Sequence, residues 1–253
     1  MLKEFPADLH IHTCLSPCAE LDLSPRAIIQ EAQKKNLKII AITDHNTAQN
    51  VRPVMFWGEQ AGIKVLPGME VQTKEEVHLL TIFPDSLRAA LWDAEAYQHL
   101  PAVKNDPQIF GDQPVVDEEG NILKFEERVL LNSLALSVEE VKKRVAELGG
   151  LVIPSHFDKE SYSLISQLGF IPNELAWEAL EMSRRNEFHL QARWEQLAIP
   201  RIISSDAHRL ADIGSAYTIF LLAEPTLAEI RLALQGREGR RILHKVDKGA
   251  YLL

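Results

Sequence analysis

Ala7-Asp8-Leu9-His10-Ile11-His12 alternates apolar and polar residues with the period of a β-strand, and the rest of the chain can be read outward from it. The alternation puts Leu9 and Ile11 on one face and His10 and His12 on the other, so two imidazoles share a side. Downstream, Ser24-Pro25 offers an N-cap and an N1 proline to a helix that carries Ala27, Ile28, Ala32 and Leu37 inward and closes near Lys34-Lys35-Asn36. Lys38 to Thr43 is then a nearly continuous apolar strand, as expected where both faces are covered. Strand, helix and strand make a βαβ unit.

The rhythm predicts a helix from Thr47 to Ala61, strands over Lys64 to Val71 and Val77 to Phe83, and a helix from Asp85 to Leu100. The link between the third and fourth strands is too short for a parallel crossover, so these two are expected to be antiparallel, with Glu70 closing one near His78 opening the other. Pro101 to Leu136 breaks the pattern. Val115-Val116 and Ile122-Leu123 flank Asp117-Glu118-Glu119-Gly120-Asn121, which suggests a hairpin, and residues 101–136 read as an inserted flap. Ser137 and Glu140 form a capping box ahead of a helix ended by Gly149-Gly150. Strands at Leu151 to Pro154, Ala179 to Met182, Arg201 to Ser204 and Tyr217 to Leu222 follow, with helices near Tyr162 to Leu168, Glu187 to Leu197 and Thr226 to Leu234. Seven or so strands alternating with helices favour an α/β fold of one domain over residues 1–253, a closed or nearly closed barrel.

With 27 Lys+Arg against 36 Asp+Glu in 253 residues the formal net charge is −9, which argues against wholesale binding to duplex nucleic acid or anionic lipid. The 46% hydrophobic content excludes a disordered chain. The first dozen residues lack the apolar core of a secretory signal and no stretch has the ~18 apolar residues of a membrane span, so a cytoplasmic protein without a membrane partner is expected. Cys14 and Cys18 read as thiols or ligands rather than a structural disulfide.

Six of the nine histidines fall at strand ends: His10, His12, His45, His78, His156 and His208, accompanied by Asp44, Glu70 and Asp206. A lone histidine there is an ordinary hydrogen-bonded loop residue, and Asp44 alone reads as a helix cap. Six in register on the rim of a barrel, mixed with carboxylates, are instead costly unless a cation compensates them. Imidazole with carboxylate suits Zn, Fe or Mn, and H-x-H and D-x-H let one extended segment offer two ligands to one side. His99, His189 and His244 have no such company.

At Asp8-Leu9-His10-Ile11-His12-Thr13, Ile42-Thr43-Asp44-His45-Asn46, Gly68-Met69-Glu70-Val71, Val77-His78-Leu79-Leu80, Ser155-His156 and Ser204-Ser205-Asp206-Ala207-His208 the sequence resembles the PHP (polymerase and histidinol phosphatase) superfamily of metal-dependent phosphoesterases. The resemblance implies a distorted seven-stranded β/α barrel holding two or three divalent metal ions. It implies one metal on His10, His12, Glu70 and Asp206, a second on Glu70, His78 and His156, and a third on His45 and His208 with one more ligand. Family members place a His or Asp five or six residues after the H-x-H; Pro17 and Cys18 stand there in this chain, leaving Cys18 or Glu20 as the third-site candidate. Glu70, Asp206 and His208 are the residues expected to carry catalysis.

Such ions activate water and neutralise phosphoryl oxygens, so the expected reaction is hydrolysis of a phosphate ester by a metal-bound hydroxide. Lys159, Arg184, Arg185 and Arg209 follow predicted strand ends and are candidates to bind the substrate, with Lys159, Arg184 and Arg209 preferred. The absence of polymerase or helix-hairpin-helix modules favours a small phosphorylated metabolite, nucleotide or short oligonucleotide. The alternatives are a 5′-3′ exonuclease on longer nucleic acid, an amidohydrolase-like activity, and a metal-binding regulatory module without turnover.

Overall fold

The computed structural model describes residues 1–184 and 198–243. The predicted helix from Glu187 to Leu197, Arg185, His189 and His244 lie outside these residues. One seven-stranded sheet runs β11 (Arg241–Leu243), β10 (Thr218–Leu222), β1 (Lys3–Ile11), β2 (Ile39–Ile42), β3 (Lys64–Gln72), β4 (His78–Ile82), β7 (Leu151–Pro154). A parallel pair, β8 (Leu180–Met182) and β9 (Arg201–Ile203), stands apart from its ladder. Single backbone bonds join the two sets. The Phe157 amide donates to the Glu181 carbonyl, the His12 amide to the Ala207 carbonyl, and the Ala207 amide to the His10 carbonyl, at 2.8, 3.0 and 3.2 Å. Strands β1, β2, β3, β4, β7, β8 and β9 thereby surround one interior, the distorted seven-stranded β/α barrel.

β1, β2 and β3 are parallel neighbours, while β3 and β4 are antiparallel with Gln72 opposite His78. The five residues between them bridge a tight reversal closed by Thr73, whose amide donates to the Val77 carbonyl at 2.9 Å. Ladder positions 66, 68 and 70 of β3 therefore face the same interior as 78, 80 and 82 of β4.

The simple alternation expected of the first strand does not hold throughout. Asp8 pairs with Ile40 and Ile11 with Ile42, three steps against two, so β1 carries a bulge. Leu9 consequently packs with Ala7, Ile39, Ala41 and Leu66 in the inner apolar cluster, whereas Ile11 joins Ile40, Ile42 and Ile28 in the cluster beneath the helices. The extra residue reverses the faces without separating His10 from His12. The inner cluster extends through Phe220 and Leu222 to the helix α7 (Leu227–Leu234).

The helices α1 (Pro25–Lys34), α2 (Val51–Ala61), α3 (Ser86–His99), α4 (Pro107–Phe110), α5 (Val138–Glu147) and α6 (Leu164–Leu168) complete the chain order before α7. Ser137 and Glu140 make the reciprocal cap of α5. α2 begins four residues later than its periodicity suggests because Asn50 is taken by tertiary bonds: it donates to Thr13 Oγ1 and the Pro114 carbonyl and accepts from the Val116 amide. Within residues 101–136, β5 (Pro114–Val116) and β6 (Ile122–Phe125) form an antiparallel hairpin. Trp57 donates to the Glu118 carbonyl, which seats the hairpin on α2. β11 adds a strand that the periodicity did not indicate.

Candidate metal centre

One rim of the barrel brings six histidines and two carboxylates together above the inner apolar cluster, all but His78 from the carboxyl ends of strands or the loops that follow them. Glu70, 1% exposed, stands at their centre. Its Oε2 lies 3.3 Å from His10 Nε2, 3.5 Å from His12 Nε2 and 3.3 Å from His45 Nδ1, and its Oε1 lies 3.2 Å from His78 Nδ1 and 3.4 Å from His156 Nε2. Asp206 Oδ1 lies 3.3 Å from His10 Nε2 and 3.5 Å from both His12 Nε2 and His208 Nδ1. Two of these ligand positions need left-handed backbone, His156 at φ 29° and Asp206 at φ 51°, a conformation that costs ~1–3 kcal/mol and persists where surrounding structure imposes it.

Three groupings have ligand atoms within 4.8 Å of one another: His10 with His12 and Glu70; His45 with Glu70 and His78; His12 with His45 and His208. The donor chemistry fits divalent cations. Ligand atoms held at ~2.1 Å around one ion lie roughly 3–3.5 Å apart, the spacing seen here. Glu70 Oε1 and His78 Nδ1, both buried, have no hydrogen-bond partner, which is unfavourable unless a cation occupies the space between such lone pairs. Burial first, then His208, pushes His12 down to about 3, and burial first holds His45 well below the usual imidazole range. For His10, the lowering by burial is outweighed by Glu181, Glu70 and Asp206, and its proton is held more tightly than usual.

Apart from Asp44, the outer contacts come from residues the sequence did not single out as site residues. Glu181 Oε2 stands 2.9 Å from His10 Nδ1 and accepts from the His156 amide, so one buried carboxylate orients two ligands. Its signal was an acid standing alone in the apolar run Ala179 to Met182. Gln72 Oε1 lies 3.0 Å from His78 Nε2, and Tyr162 stacks on the His78 ring with centroids 4.7 Å apart. Asp44 accepts from the Thr13 amide, the Thr13 hydroxyl and the Ser16 hydroxyl, so its role is to hold the loop after the H-x-H.

A cavity of about 480 Å³ opens beside His156, Asp206 and His208. Lys159 and Arg184 both line it: Lys159 Nζ lies 2.6 Å from Asp206 Oδ2, and Arg184 is paired with Asp212 at 2.7 Å. Arg209 does not reach this cavity, because its guanidinium turns outward to Glu20 at 3.2 Å. Cys18 is exposed and belongs to none of the three ligand groupings. Its thiol is nonetheless near enough to the carboxylates that desolvation, then Glu70, pushes it up to about 12. The third grouping consists of His12, His45 and His208, with neither Cys18 nor Glu20 among its atoms. Residues 101–136 contribute nothing to the lining of this cavity.

The sequence matches the PHP domain profile over residues 8–150 and the PHP-associated profile over residues 192–238. The chain belongs to the PHP domain family, a family of metal-dependent phosphoesterases. An uncharacterized protein of Methanocaldococcus jannaschii is 35% identical over 77 residues, covering 27% of this chain and 45% of that one. The fold is similar to that of a lesion-specific endonuclease, Endonuclease Q from Pyrococcus furiosus, with a TM-score of 0.68 and 21% identity over 95% of this chain and 58% of that one. An Endonuclease Q complexed with a 27-mer duplex carrying an abasic lesion at the active site gives a TM-score of 0.65 and 22% identity over 94% of this chain and 58% of that one. This chain thus spans about half the length of these proteins.

Proposed function

We propose that this chain is a metal-dependent phosphoric ester hydrolase acting on a small phosphorylated metabolite, a nucleotide or a short oligonucleotide. The observation that carries the proposal is the convergence of five imidazoles on the two oxygens of Glu70, at the edge of a cavity lined by Lys159 and Arg184. His10, His12, Glu70 and Asp206 would hold one ion, Glu70, His78 and His156 a second, and His45 and His208, with one more ligand, a third. When bound, such ions lower the pKa of water and neutralise charge growing on phosphoryl oxygens. Glu70 spans two ligand sets, Glu181 keeps His10 aimed inward, and Asp206 offers one oxygen to the ligand cluster and the other to Lys159. Lys159 and Arg184, which line the cavity, would bind the phosphoryl group or its flanking atoms.

A nuclease reading on longer nucleic acid is favoured by the fold shared with Endonuclease Q. The acidic balance of this chain and the size of the cavity, near that of a single small-molecule pocket, support the small-substrate reading. A screen of phosphomonoesters, nucleoside bisphosphates, short single strands and lesion-bearing duplexes on protein loaded with Mn, Zn or Fe separates them. Preference for monoesters or mononucleotides is expected. Cleavage confined to long duplexes would replace the proposal with the nuclease, and metal binding without turnover of any ester would replace it with a regulatory module.

A further inference from the structure

We infer that Ser16 and Asp44 form a positioning relay that fixes His12 as its Nδ1–H tautomer and thereby leaves Nε2 free to face the metal site; this rests on the metal-centre reading above. Ser16 Oγ lies 2.7 Å from Asp44 Oδ1, 2.9 Å from His12 Nδ1 and 3.2 Å from the His45 amide nitrogen. All four residues are buried. A hydroxyl has one proton and two lone pairs, and an ionised carboxylate only accepts, so the Ser16 proton goes to Asp44. The other two approaches to Oγ must then both be donors. The His45 amide is one by its nature, and His12 Nδ1 has to be the other. A neutral imidazole carries one N–H, so Nε2 is bare, and Nε2 is the atom that faces Glu70, Asp206 and His10.

The same accounting holds one step away. The Thr13 hydroxyl gives its proton to the second Asp44 oxygen and accepts from the Leu15 amide and Asn50 Nδ2, both at 3.1 Å. Asp44 therefore receives three donors, which work against the upward push that burial gives its carboxyl, and both its oxygens are directed at the loop that follows His12. It precedes His45 in the chain, so one carboxylate sets both the tautomer of the first ligand and, through Ser16, the backbone of the second. Tautomer control by the partner of the far nitrogen is how outer groups tune metal ligands.

An Asp44→Ala change takes away the acceptor of the Ser16 proton. That proton is then free to turn toward His12 Nδ1, which moves the imidazole proton onto Nε2. Two-bond proton–nitrogen NMR of the imidazoles in metal-free full chain reads the tautomer directly. Nδ1–H is expected for His12 in the wild type, and Nε2–H in the Asp44→Ala variant. Titration with Zn or Mn should show binding weakened by ~10–100-fold in that variant, with Ser16→Ala also weakened because Nδ1–H loses its acceptor. An Nε2–H wild type would overturn the relay whether or not either variant folds. Unchanged tautomer and affinity in a folded Asp44→Ala variant would overturn it as well. If the wild type shows Nδ1–H yet binds neither ion, it is the metal-centre reading that fails.

Discussion

Glu70 can serve two ligand sets at once because its oxygens diverge, Oε2 toward His10, His12 and His45 and Oε1 toward His78 and His156. His208, by contrast, reaches only one of the three groupings. Glu70→Gln should therefore abolish at least two bound ions and His208→Ala about one, counted by elemental analysis on folded variants; equal losses would contradict the separate assignment. Lys159→Met removes a cation from the cavity and should raise KM for a phosphate ester by ~10-fold, the scale of one charge-assisted hydrogen bond, with metal content unchanged. Asp8 gives a pH test of stability. It is buried, accepts from the Ser205 and Gly214 amides, and burial raises its pKa from 3.8 to about 6. The folded state thus binds the Asp8 proton more tightly than the unfolded chain, so this contribution is full below pH ~4 and is lost as pH rises through about 6. Denaturant unfolding of metal-free protein should show the stability of wild type relative to Asp8→Asn falling by ~2 kcal/mol between pH 4 and 7.

At the scale of elements, two local departures from regular geometry build the rim. The bulge in β1 lets Ala7 and Leu9 fill the barrel interior while His10 and His12 still face into it, which a strict period of two would forbid. The short reversal after Gln72 brings an antiparallel strand into a parallel barrel and so delivers His78 from the start of a strand, not its end. The hairpin of residues 114–125 is fastened to α2 by the buried Asn50, whose amide makes bonds to Thr13, Pro114 and Val116. Asn50→Ala leaves the Val116 amide and the Pro114 carbonyl without that partner, and should cost ~2–4 kcal/mol of stability while opening residues 101–136 to limited proteolysis. Proteolysis no faster than in wild type would show that the hairpin is held by its apolar contacts instead.

For the whole molecule, the candidate ligands come from segments far apart in the chain, so ions held by them would tie β1, β3, β4, β7 and the loop after β9 together. Anything that binds only the folded state stabilises it by mass action. Purified protein should carry at least two divalent ions per chain. Stripping them with a chelator should lower Tm by roughly 5–10 °C, the equivalent of ~2.7 kcal/mol at a free ion concentration ~100 times Kd, and adding back Mn or Zn should restore it. A melting curve indifferent to chelation, with metal loss verified, would contradict a metal-closed barrel. No helix among the described residues is long and apolar enough to cross a membrane.

The strand at 7–12 with His10 and His12 on one side, the proline-initiated α1, the capping box of α5 and the order of strands and helices were legible in the sequence, because local periodicity and capping depend on neighbours within a few residues. So was the residue set His10, His12, His45, Glu70, His78, His156, Asp206 and His208, since a barrel sends strand ends to one rim whatever its exact register. The bulge was not legible: a single inserted residue changes no local propensity and shows only when β1 is laid against β2. Nor were the outward turn of Arg209 or the roles of Glu181, Gln72 and Ser16. Those rest on distances between segments far apart in the chain, and such distances are decided by how the barrel closes on its own interior.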